Sequence, residues 1–398
     1  MTPNGGRMTL DWQTHLNDTR ATRQWLHQHP ELTWQEAGTA RFVREQLDAL
    51  GIAWRPCAEH GCVATLAPKA SGRHIALRSD MDALPIMEAT GLDFASKQAG
   101  VMHACGHDGH MAALLGAAKW LKAHEPALPG PVSLLFQPAE EGGHGARAMI
   151  EDGALEGIDE IYGWHNWPAL PLGTAVCPTG AVMSGNGTFH ITLKGHGGHA
   201  SQPESTSDAL LAASALILNL QQIVSRRLPP QVAAVVSVTS MDARNALTVI
   251  GDKVLLEGSI RFADPAFQRP INDAIDTIAH GTAQSYGVTA EVEIRPRYNP
   301  TLNHAQPAAI YRDALRAELG ADSDQVDLRL PLMASEDFSY YLTHIPGAFA
   351  LVGMAQTQAK NDQAWYSAPC HSPQYQFNDR VLDSVMRVFC RLAGVPVV

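Results

Sequence analysis

The segment MHACGHDGHMAALLGAA, which begins at Met102, places four potential metal ligands just before an apolar, alanine-rich stretch. The thiol of Cys105 is followed closely by the side chains of His107, Asp108 and His110. Residues two apart do not share a helix face, so Cys105 and His107 can bind one ion only from the turn before a helix. The helix should therefore begin near Asp108 or His110, whose side chain can serve as a cap or as support for a ligand.

Further donors occur downstream of this segment. Glu140 and Glu141 are adjacent, His165 lies in GWHNWP, and His371 lies in CHSPQYQFND. Neighbouring side chains in extended backbone point in opposite directions, so one glutamate is expected to bind metal while the other faces the substrate. Thiolate, imidazole and carboxylate together suit Zn²⁺, Mn²⁺ or a neighbouring first-row ion, and a thiolate sulfur can bridge two such ions.

Each of these signals also has an ordinary explanation. A single buried histidine is most often a core residue, and a Glu-Glu pair usually lies on a solvated face. The chain contains neither the HExxH motif of zincins nor the GxSxG elbow of α/β-hydrolases. The prediction of a metal centre therefore depends on several clusters occurring in one chain.

Composition limits the classes of function. The chain has 398 residues, of which 45% are hydrophobic and 17% charged, and a formal net charge of -11. This length favours two domains, and the acidic balance with scattered Lys and Arg argues against nucleic acid or an anionic membrane as a partner. Without an apolar leader or a membrane-length apolar run, and with six cysteines in so long a chain, we expect a cytoplasmic protein without a disulfide framework.

The predicted elements bring the polar clusters together. From about residue 72 to 168, apolar β-type runs alternate with helical ones, which indicates a mostly parallel sheet flanked by helices. Ligands of such sheets gather at the carboxyl ends of the strands. The clusters RSDMDALP, FQPAEEGG and HNWP are each predicted to follow a strand.

A second pattern interrupts the first. Residues 181–297 show the order βαββαβ, which is typical of a ferredoxin-like α+β domain. The predicted fold is therefore an α/β catalytic domain with a mixed, mostly parallel sheet, formed by residues 1–180 and 298–398. The inserted domain is predicted to act as a lid or in dimerisation.

The chain resembles the aminoacylase and carboxypeptidase type of dinuclear metallohydrolase. The resemblance is carried by HPELTWQE, RSDMDALPI, MHACGHDGHMAALLGAA, FQPAEEGGHGARAMIEDG, HNWP, GHGGHAS, MASEDFSYY and HSPQYQFND, which follow in order from about His27 to Asp379. Within that family it is most similar to the hippurate hydrolase and indoleacetyl-amino-acid hydrolase branch of N-acyl-amino-acid amidohydrolases.

The resemblance implies a role for each ligand. Cys105 would bridge two divalent ions, with His107 and His165 on one ion and Glu141 and His371 on the other. The ions would be Zn²⁺ or Mn²⁺, with Co²⁺ or Ni²⁺ as further options. Such a pair acidifies bound water toward a pKa of about 7 and polarises the amide carbonyl.

The resemblance also implies roles for residues that do not bind metal. Glu140 would be the general base, and Asp82 would lie beneath the metal centre and support it. His199 of the inserted domain would donate a hydrogen bond to the oxyanion, commonly in the active site of a dimer partner. A homodimer through the inserted domain is therefore expected.

One segment departs from the family pattern. The family usually has NVIPD in the inserted domain, whereas this chain has TVIGD, with Thr248 at the usual Asn and Gly251 at the usual Pro. Asn245 is a candidate to compensate, and the change concerns the identity of the substrate more than the type of reaction. Arg261 is a candidate for binding a substrate carboxylate, with a surface ion pair as the alternative.

The expected function is metal-dependent hydrolysis of the amide bond of small N-acyl amino acids carrying acetyl, benzoyl or arylacetyl groups. Two alternatives remain open at this level. One is a dipeptidase or a deacylase of a non-standard amide, and the other is a metal-binding or regulatory homologue without turnover. The acyl group, side chain, enantiomer and native metal depend on pocket shape and metal supply, which the motifs do not encode.

Overall fold

Two compact units make up the part of the chain that the computed structural model describes, residues 11–356 and 368–397. The large unit consists of the described parts of Met1–Gly180, Leu302–Leu328 and Tyr340–Val398. The small unit consists of Ala181–Thr301 and Arg329–Ser339.

The helices and strands of both units are numbered in chain order. The strands are β1 Trp54–Cys57, β2 Gly61–Leu66, β3 Ile75–Asp80, β4 Val132–Gln137, β5 Glu160–Pro171, β6 Ala175–Val176, β7 Gly180–Met183, β8 Gly185–Lys194, β9 Gly198–His199, β10 Ala234–Asp242, β11 Val249–Ile250, β12 Lys253–Phe262, β13 Thr289–Pro296, β14 Thr301–Asn303 and β15 Gly347–Ala355. The helices are α1 Trp12–Gln28, α2 Ala37–Ala49, α3 His107–Ala123, α4 Gly145–Glu151, α5 Ala209–Leu220, α6 Gln268–Ser285, α7 Ala305–Leu319, α8 Ser339–Leu342 and α9 Arg380–Leu392.

A mixed seven-stranded sheet forms the centre of the large unit. Its strand order is β1-β2-β4-β3-β5-β15-β6. The central strands β4, β3, β5 and β15 run parallel, whereas β1, β2 and β6 pair antiparallel at the two edges. The predicted α/β fold with a mixed sheet flanked by helices is therefore confirmed.

Burial explains why the central strands read as continuous apolar runs. Every residue of β3 and β4 is buried, as expected for parallel strands covered on both faces. The carboxyl ends of these two strands are adjacent in the sheet, since Asp80 pairs with Gln137. The polar segments that follow them consequently leave the sheet side by side.

Helix α3 packs closely because its sequence is rich in Gly and Ala. A Cβ at Gly109 would lie 2.3 Å from the ring of Phe377, and one at Gly116 would lie 2.8 Å from the sulfur of Met386. A larger residue at either position would require its neighbour to move. The C-terminal part of the chain thus rests directly on the helix that begins at His107.

The small unit contains a four-stranded antiparallel sheet with the order β10-β12-β8-β13. Its elements follow the order βαββαβ, with α5 and α6 as the helices. These elements enclose a hydrophobic core separate from that of the large unit. None of the described helices in either unit is both long and apolar enough to cross a membrane.

Two segments lie in a different unit from the one expected. Sequence patterning assigns residues 298–398 to the domain of the large sheet, but residues 298–301 and Arg329–Ser339 belong to the small unit. The N–H of Ser184 donates to the carbonyl oxygens of Leu332 and Ala334, at 2.8 and 2.9 Å. This pairing joins residues far apart in the chain, which local periodicity cannot reveal.

Substitution of Leu114 by Ala tests the core around α3. The Leu114 side chain is fully buried, so the change should lower the free energy of unfolding by about 2 to 5 kcal/mol, from lost burial and the remaining cavity. Urea unfolding measures the loss. Met87→Ala, at a side chain that is 65% exposed, is the control and should change stability by less than about 0.5 kcal/mol.

Candidate metal centre

The predicted ligands of the large unit converge at the carboxyl edge of its sheet. Glu140 and Glu141 follow β4, and Cys105 and His107 occupy the turn and first residue of α3. His371 lies in the segment before α9, where its backbone N–H donates to the Ala104 carbonyl oxygen at 2.7 Å. That hydrogen bond holds His371 beside Cys105, although the two residues are far apart in sequence.

His165 is placed differently from the expectation. The sequence predicted that the HNWP cluster follows a strand, but His165 lies inside β5, which continues to Pro171. Strand β3 pairs with β5 only as far as Leu77 and Tyr162, whereas β15 pairs with β5 beyond that point. The part of β5 after Tyr162 is therefore not paired with β3. His165 lies in this part, and its Nε2 atom is 3.3 Å from the Sγ atom of Cys105.

Two sets of potential ligands share the Cys105 sulfur. The ligand atoms of Cys105, His107 and His165 lie within 4.8 Å of one another, and so do those of Cys105, Glu141 and His371. Nε2 of His371 is 3.1 Å from Oε1 of Glu141. The structure thus brings all five residues together in two groups with one thiol in common.

Hydrogen bonds fix the orientation of two of the imidazoles. Nδ1 of His107 donates to the Asp82 carbonyl oxygen at 2.9 Å, and Nδ1 of His165 donates to the Asn166 carbonyl oxygen at 2.6 Å. A carbonyl oxygen only accepts, so Nδ1 of each ring carries a proton and Nε2 is the nitrogen left for a metal ion. Among the described residues, no partner hydrogen-bonds the buried Nε2 of His107. An imidazole held in this way is suited to binding a metal ion.

The electrostatics of the centre also favour a cation. Burial lowers the pKa of His107, but the nearby carboxylates of Asp80, Asp82 and Glu141 outweigh this effect and raise it to about 10. The hydrogen bond with Cys370, burial and the carboxylate of Glu141 raise the pKa of the Cys105 thiol well above its ordinary value. A nearby divalent ion would offset this repulsion and favour the thiolate.

Asp82 supports both glutamates beneath the centre. Its Oδ1 accepts the N–H of Glu140 and its Oδ2 accepts the N–H of Glu141, both at 3.0 Å. The hydroxyl of Thr33 also donates to Oδ2, at 2.7 Å. One buried carboxylate therefore fixes the backbone of Glu140, the candidate base, and of Glu141, the candidate ligand.

A buried chain of hydrogen-bonded polar groups lies beside the candidate ligands. The sequence did not predict that these groups contact one another. Arg78 donates to Asp80 at 2.8 Å, Asp80 contacts Nδ1 of His110 at 2.6 Å, and Nε2 of His110 contacts Oδ1 of Asn166 at 2.8 Å. His110 lies one helical turn after Gly106, and the sequence had offered it as a possible support for a ligand. Its partners lie on other elements and carry no local signal.

The small unit holds the other predicted site residues. His199 is exposed, and its strand β9 pairs with β11, where Val249 lies opposite it. Nδ1 of His199 accepts the N–H of Ser201 at 3.1 Å, which leaves the ring proton on Nε2 as a hydrogen-bond donor. The carbonyl oxygen of Thr248 accepts the N–H of Ala200 at 2.9 Å. His199 and the TVIGD segment are therefore neighbours within this unit.

The two remaining candidates also lie in the small unit. The side-chain amide of Asn245 donates to the Ala243 carbonyl oxygen at 3.1 Å, and a Cβ at Gly251 would lie 2.2 Å from that amide. Arg261 on β12 is half-buried and donates to the Ser335 hydroxyl at 3.2 Å. No carboxylate of the described residues forms an ion pair with Arg261, so the alternative of a surface ion pair is not observed. Burial and the charge of Arg297 lower the pKa of its guanidinium.

An α/β unit with Cys, His and Glu donors converging at one edge of a mixed sheet defines a candidate metallohydrolase. Residues 76–394 match the model of Peptidase family M20/M25/M40, and the chain belongs to that family. This confirms the resemblance inferred from the motifs.

The chain is similar to several curated relatives. It is 40% identical to an N-acetyl-L-cysteine deacetylase of Bacillus subtilis, over 90% of this chain and 83% of the relative. It is 38% identical to the IAA-amino acid hydrolase ILR1-like 2 of Arabidopsis thaliana, over 94% and 82%. It is 36% identical to a hippurate hydrolase of Campylobacter jejuni, over 93% and 94%.

A solved structure is also similar over nearly its full length. The Bacillus subtilis YXEP protein, described as a dinuclear metal binding peptidase from the M20 family, is 31% identical with a TM-score of 0.80. The match covers 96% of this chain and 98% of that protein.

A buried cluster of charged groups adjoins the first turn of α3. Of the two roles considered for Asp108, the helix cap is not observed: the N-cap of α3 is Gly106, with a φ of 92°, and the Asp108 carboxylate is used elsewhere. Asp108 accepts from Nδ1 of His27 at 2.8 Å, while Nε2 of His27 lies 3.3 Å from Glu88. Both acceptors are carboxylates, so His27 is protonated at both nitrogens. Burial lowers its pKa, but these two partners outweigh burial and raise it to about 9.

The raised pKa of His27 predicts a pH-dependent contribution to stability. Because the folded pKa of about 9 exceeds the ordinary value of 6.5, the contribution is complete below pH 6.5 and is lost as pH rises through 9. It amounts to about 3 kcal/mol at most. The stability difference between the wild type and His27→Gln should therefore be larger at pH 6 than at pH 10 in urea unfolding.

The matched control is His280→Gln, because His280 is exposed on α6 and 3.5 Å from Asp276. Its stability difference from wild type should stay within about 0.5 kcal/mol at every pH. An equal difference for His27→Gln at pH 6 and pH 10 would contradict the assignment of a buried imidazolium.

Proposed function

We propose that the protein is a metal-dependent amidohydrolase that cleaves N-acyl amino acids carrying acetyl, benzoyl or arylacetyl groups. The products are a carboxylic acid and a free amine. The observation that carries the proposal is the pair of ligand groups sharing Cys105, with Glu140 beside them. The named activities of the relatives support the substrate class, since all three cleave amide bonds at an amino acid nitrogen.

The residues present fit two divalent ions. Cys105, His107 and His165 would hold one, and Cys105, Glu141 and His371 would hold the other, with the sulfur shared. When bound, the ions supply an acidified water and a polarised carbonyl. The donor set suits Zn²⁺ or Mn²⁺, and Co²⁺ or Ni²⁺ are further options.

Glu140 is proposed as the general base. Its side chain is 6% exposed, and its carboxylate lies within 4.8 Å of the ligand atoms of His107 and Glu141. In this role it accepts a proton from the attacking water and returns it to the departing amine nitrogen. Such a base contributes on the order of 10²- to 10⁴-fold to the rate.

The small unit is proposed to supply substrate contacts. The Nε2 donor of His199 would bind the oxyanion, since its ring is exposed and its Nδ1 is already used. Arg261 would bind the substrate carboxylate, and Thr248 and Asn245 would replace the usual Asn in contacting the substrate. A donor on a separate unit implies a lid role, in which closure is part of each turnover.

A homodimer through the small unit is part of the proposal. Strand β10 is at the edge of its sheet, and its Val235 and Met241 are 38% and 45% exposed. On α5, Leu211 and Leu218 are 56% and 74% exposed and lie seven residues apart on one helix face. An edge strand with apolar side chains favours association with a second copy.

The cysteines support a reducing compartment such as the cytoplasm. All six are free, and five of them are buried. Disulfides are rare in cytosolic proteins, whose thiols are kept reduced.

Substitution of Glu140 by Gln tests the catalytic proposal. The change keeps the shape of the side chain but removes the proton acceptor, so kcat should fall by at least about 10²-fold. Metal content should stay near that of the wild type, because Glu140 is not a proposed ligand. Activity is measured on N-acetyl, N-benzoyl and indoleacetyl conjugates of both amino acid enantiomers, with metal analysis of the same sample.

Two outcomes would count against the proposal. If the wild type cleaves no member of the panel with Zn²⁺, Mn²⁺, Co²⁺ or Ni²⁺ supplied, the chain is not an N-acyl-amino-acid hydrolase. If exhaustive chelation leaves activity intact, the metal assignment is wrong. Cys105→Ser is the matched control for the second outcome, since it should lose metal and activity together.

The dimer is tested by charge on its proposed interface. The double substitution Leu211→Asp and Leu218→Asp should convert the dimer to a monomer, because an interface core does not tolerate unpaired charges. Sedimentation velocity measures the mass. Met87→Asp, an exposed position of the large unit, is the control and should remain dimeric. A wild-type monomer at micromolar concentration would contradict the proposal.

A further inference from the structure

We propose that residues 31–36, ELTWQE, are positioning residues that hold the loop carrying Glu140 and Glu141. This segment belongs to the motif HPELTWQE, to which the proposed mechanism assigns no role. The inference rests on the proposed function, because it concerns the placement of the same two glutamates. We call residues 31–36 the brace and residues 139–144 the glutamate loop.

The glutamate loop does not follow a relaxed backbone path. Ala139 and His144 have φ values of 56° and 60°, and Gly142 has a φ of 91°. Side chains other than glycine incur a cost of about 1 to 2 kcal/mol in this region. Such a conformation persists only where surrounding contacts impose it. The source of those contacts therefore determines where Glu140 and Glu141 point.

Glu36 provides the first of these contacts. Its buried carboxylate accepts the N–H of Ala139 at 2.8 Å, immediately before Glu140. No partner among the described residues hydrogen-bonds its second oxygen, Oε2. Burying a carboxyl group is costly unless hydrogen bonds compensate it, and the backbone N–H of Ala139 is one of the groups that do so.

Trp34 and Thr33 provide further contacts. The indole N–H of Trp34 donates to the Gly143 carbonyl oxygen at 3.0 Å. A Cβ at Gly143 would lie 2.5 Å from Cγ2 of Thr33 and 2.7 Å from Nε1 of Trp34, so the loop backbone rests directly on the brace. The Thr33 hydroxyl donates to the same Asp82 oxygen that accepts the N–H of Glu141.

The brace is itself fixed to the large unit. The N–H of Ala83 donates to the Glu31 carbonyl oxygen at 2.8 Å, and Leu32 forms a parallel bridge with Ala83. The Glu31 carboxylate accepts the N–H groups of Gly38 and Thr39 at the start of α2. The brace therefore links the segment after β3 to the glutamate loop after β4.

A small displacement of this loop should affect chemistry more than substrate binding. A misplacement of about 1 Å can cost about 10²-fold in rate, and loss of a group that supports a ligand typically costs 10- to 100-fold in activity or metal affinity. The brace contacts the backbone around the glutamates, so its loss should lower kcat and weaken the ion held by Glu141 while KM stays nearly constant.

The first test compares Thr33→Val with Thr33→Ser. Valine keeps the shape but removes the hydroxyl, so kcat per metal-loaded site should fall about tenfold with KM within about twofold. The absorption spectrum of the Co²⁺-loaded protein should also change, because the Glu141 ligand shifts. Serine keeps the hydroxyl and should restore both readouts. Thr22→Val is the matched control, since Thr22 is half-buried on α1 and its hydroxyl donates to the Asp18 carbonyl oxygen of the same helix.

The second test compares Glu36→Leu with Glu36→Gln. Leucine removes the acceptor of the Ala139 N–H and should lower kcat per metal-loaded site by about 10- to 100-fold. Glutamine keeps an acceptor oxygen and should retain most of the activity. If Glu36→Leu fails to fold, the comparison of Glu36→Gln and the Thr33 pair still decides the matter.

The inference is overturned if Thr33→Val leaves kcat and the Co²⁺ spectrum unchanged in an active, stable protein. It is also overturned if Glu36→Gln loses as much kcat as Glu36→Leu, because the hydrogen-bond acceptor would then not be the operative group. Absence of hydrolysis by the wild type is a different result, since it refutes the proposed function itself.

Discussion

The buried carboxylate of Asp82 is the interaction on which the rest of the centre depends. Its two oxygens accept the N–H groups of Glu140 and Glu141, and the carbonyl oxygen of the same residue accepts Nδ1–H of His107. Asp82, which follows β3, thus positions the candidate base Glu140 and the two candidate ligands Glu141 and His107. The remaining ligands arrive from β5 and the segment before α9, which are positioned independently.

Much of this arrangement follows from local sequence. Parallel strands bring their carboxyl ends together, so clusters after β3 and β4 had to meet, and the Cys105 and His107 spacing required a turn before α3. The βαββαβ order of the small unit was also readable from periodicity. These features depend on neighbouring residues, which is why sequence patterns carry them.

Other features depend on contacts between distant segments. The position of His165 inside β5 reflects where β3 stops pairing, and no local pattern marks that point. The segment Arg329–Ser339 joins the small unit through hydrogen bonds to Ser184. The brace residues that contact the glutamate loop lie about a hundred residues earlier in the chain. Their motif indicated a family, but it did not indicate which segment they contact. In each case the missing information is which surfaces meet.

The shared thiol has a consequence for how the protein matures. Cys105 and His165 are synthesised early, whereas His371 follows after more than two hundred further residues and is held at Ala104 by a backbone hydrogen bond. A nascent chain therefore offers one set of donors long before the other exists. A chain cut short before His371 would therefore keep the donor group of Cys105, His107 and His165 but lack the complete second group.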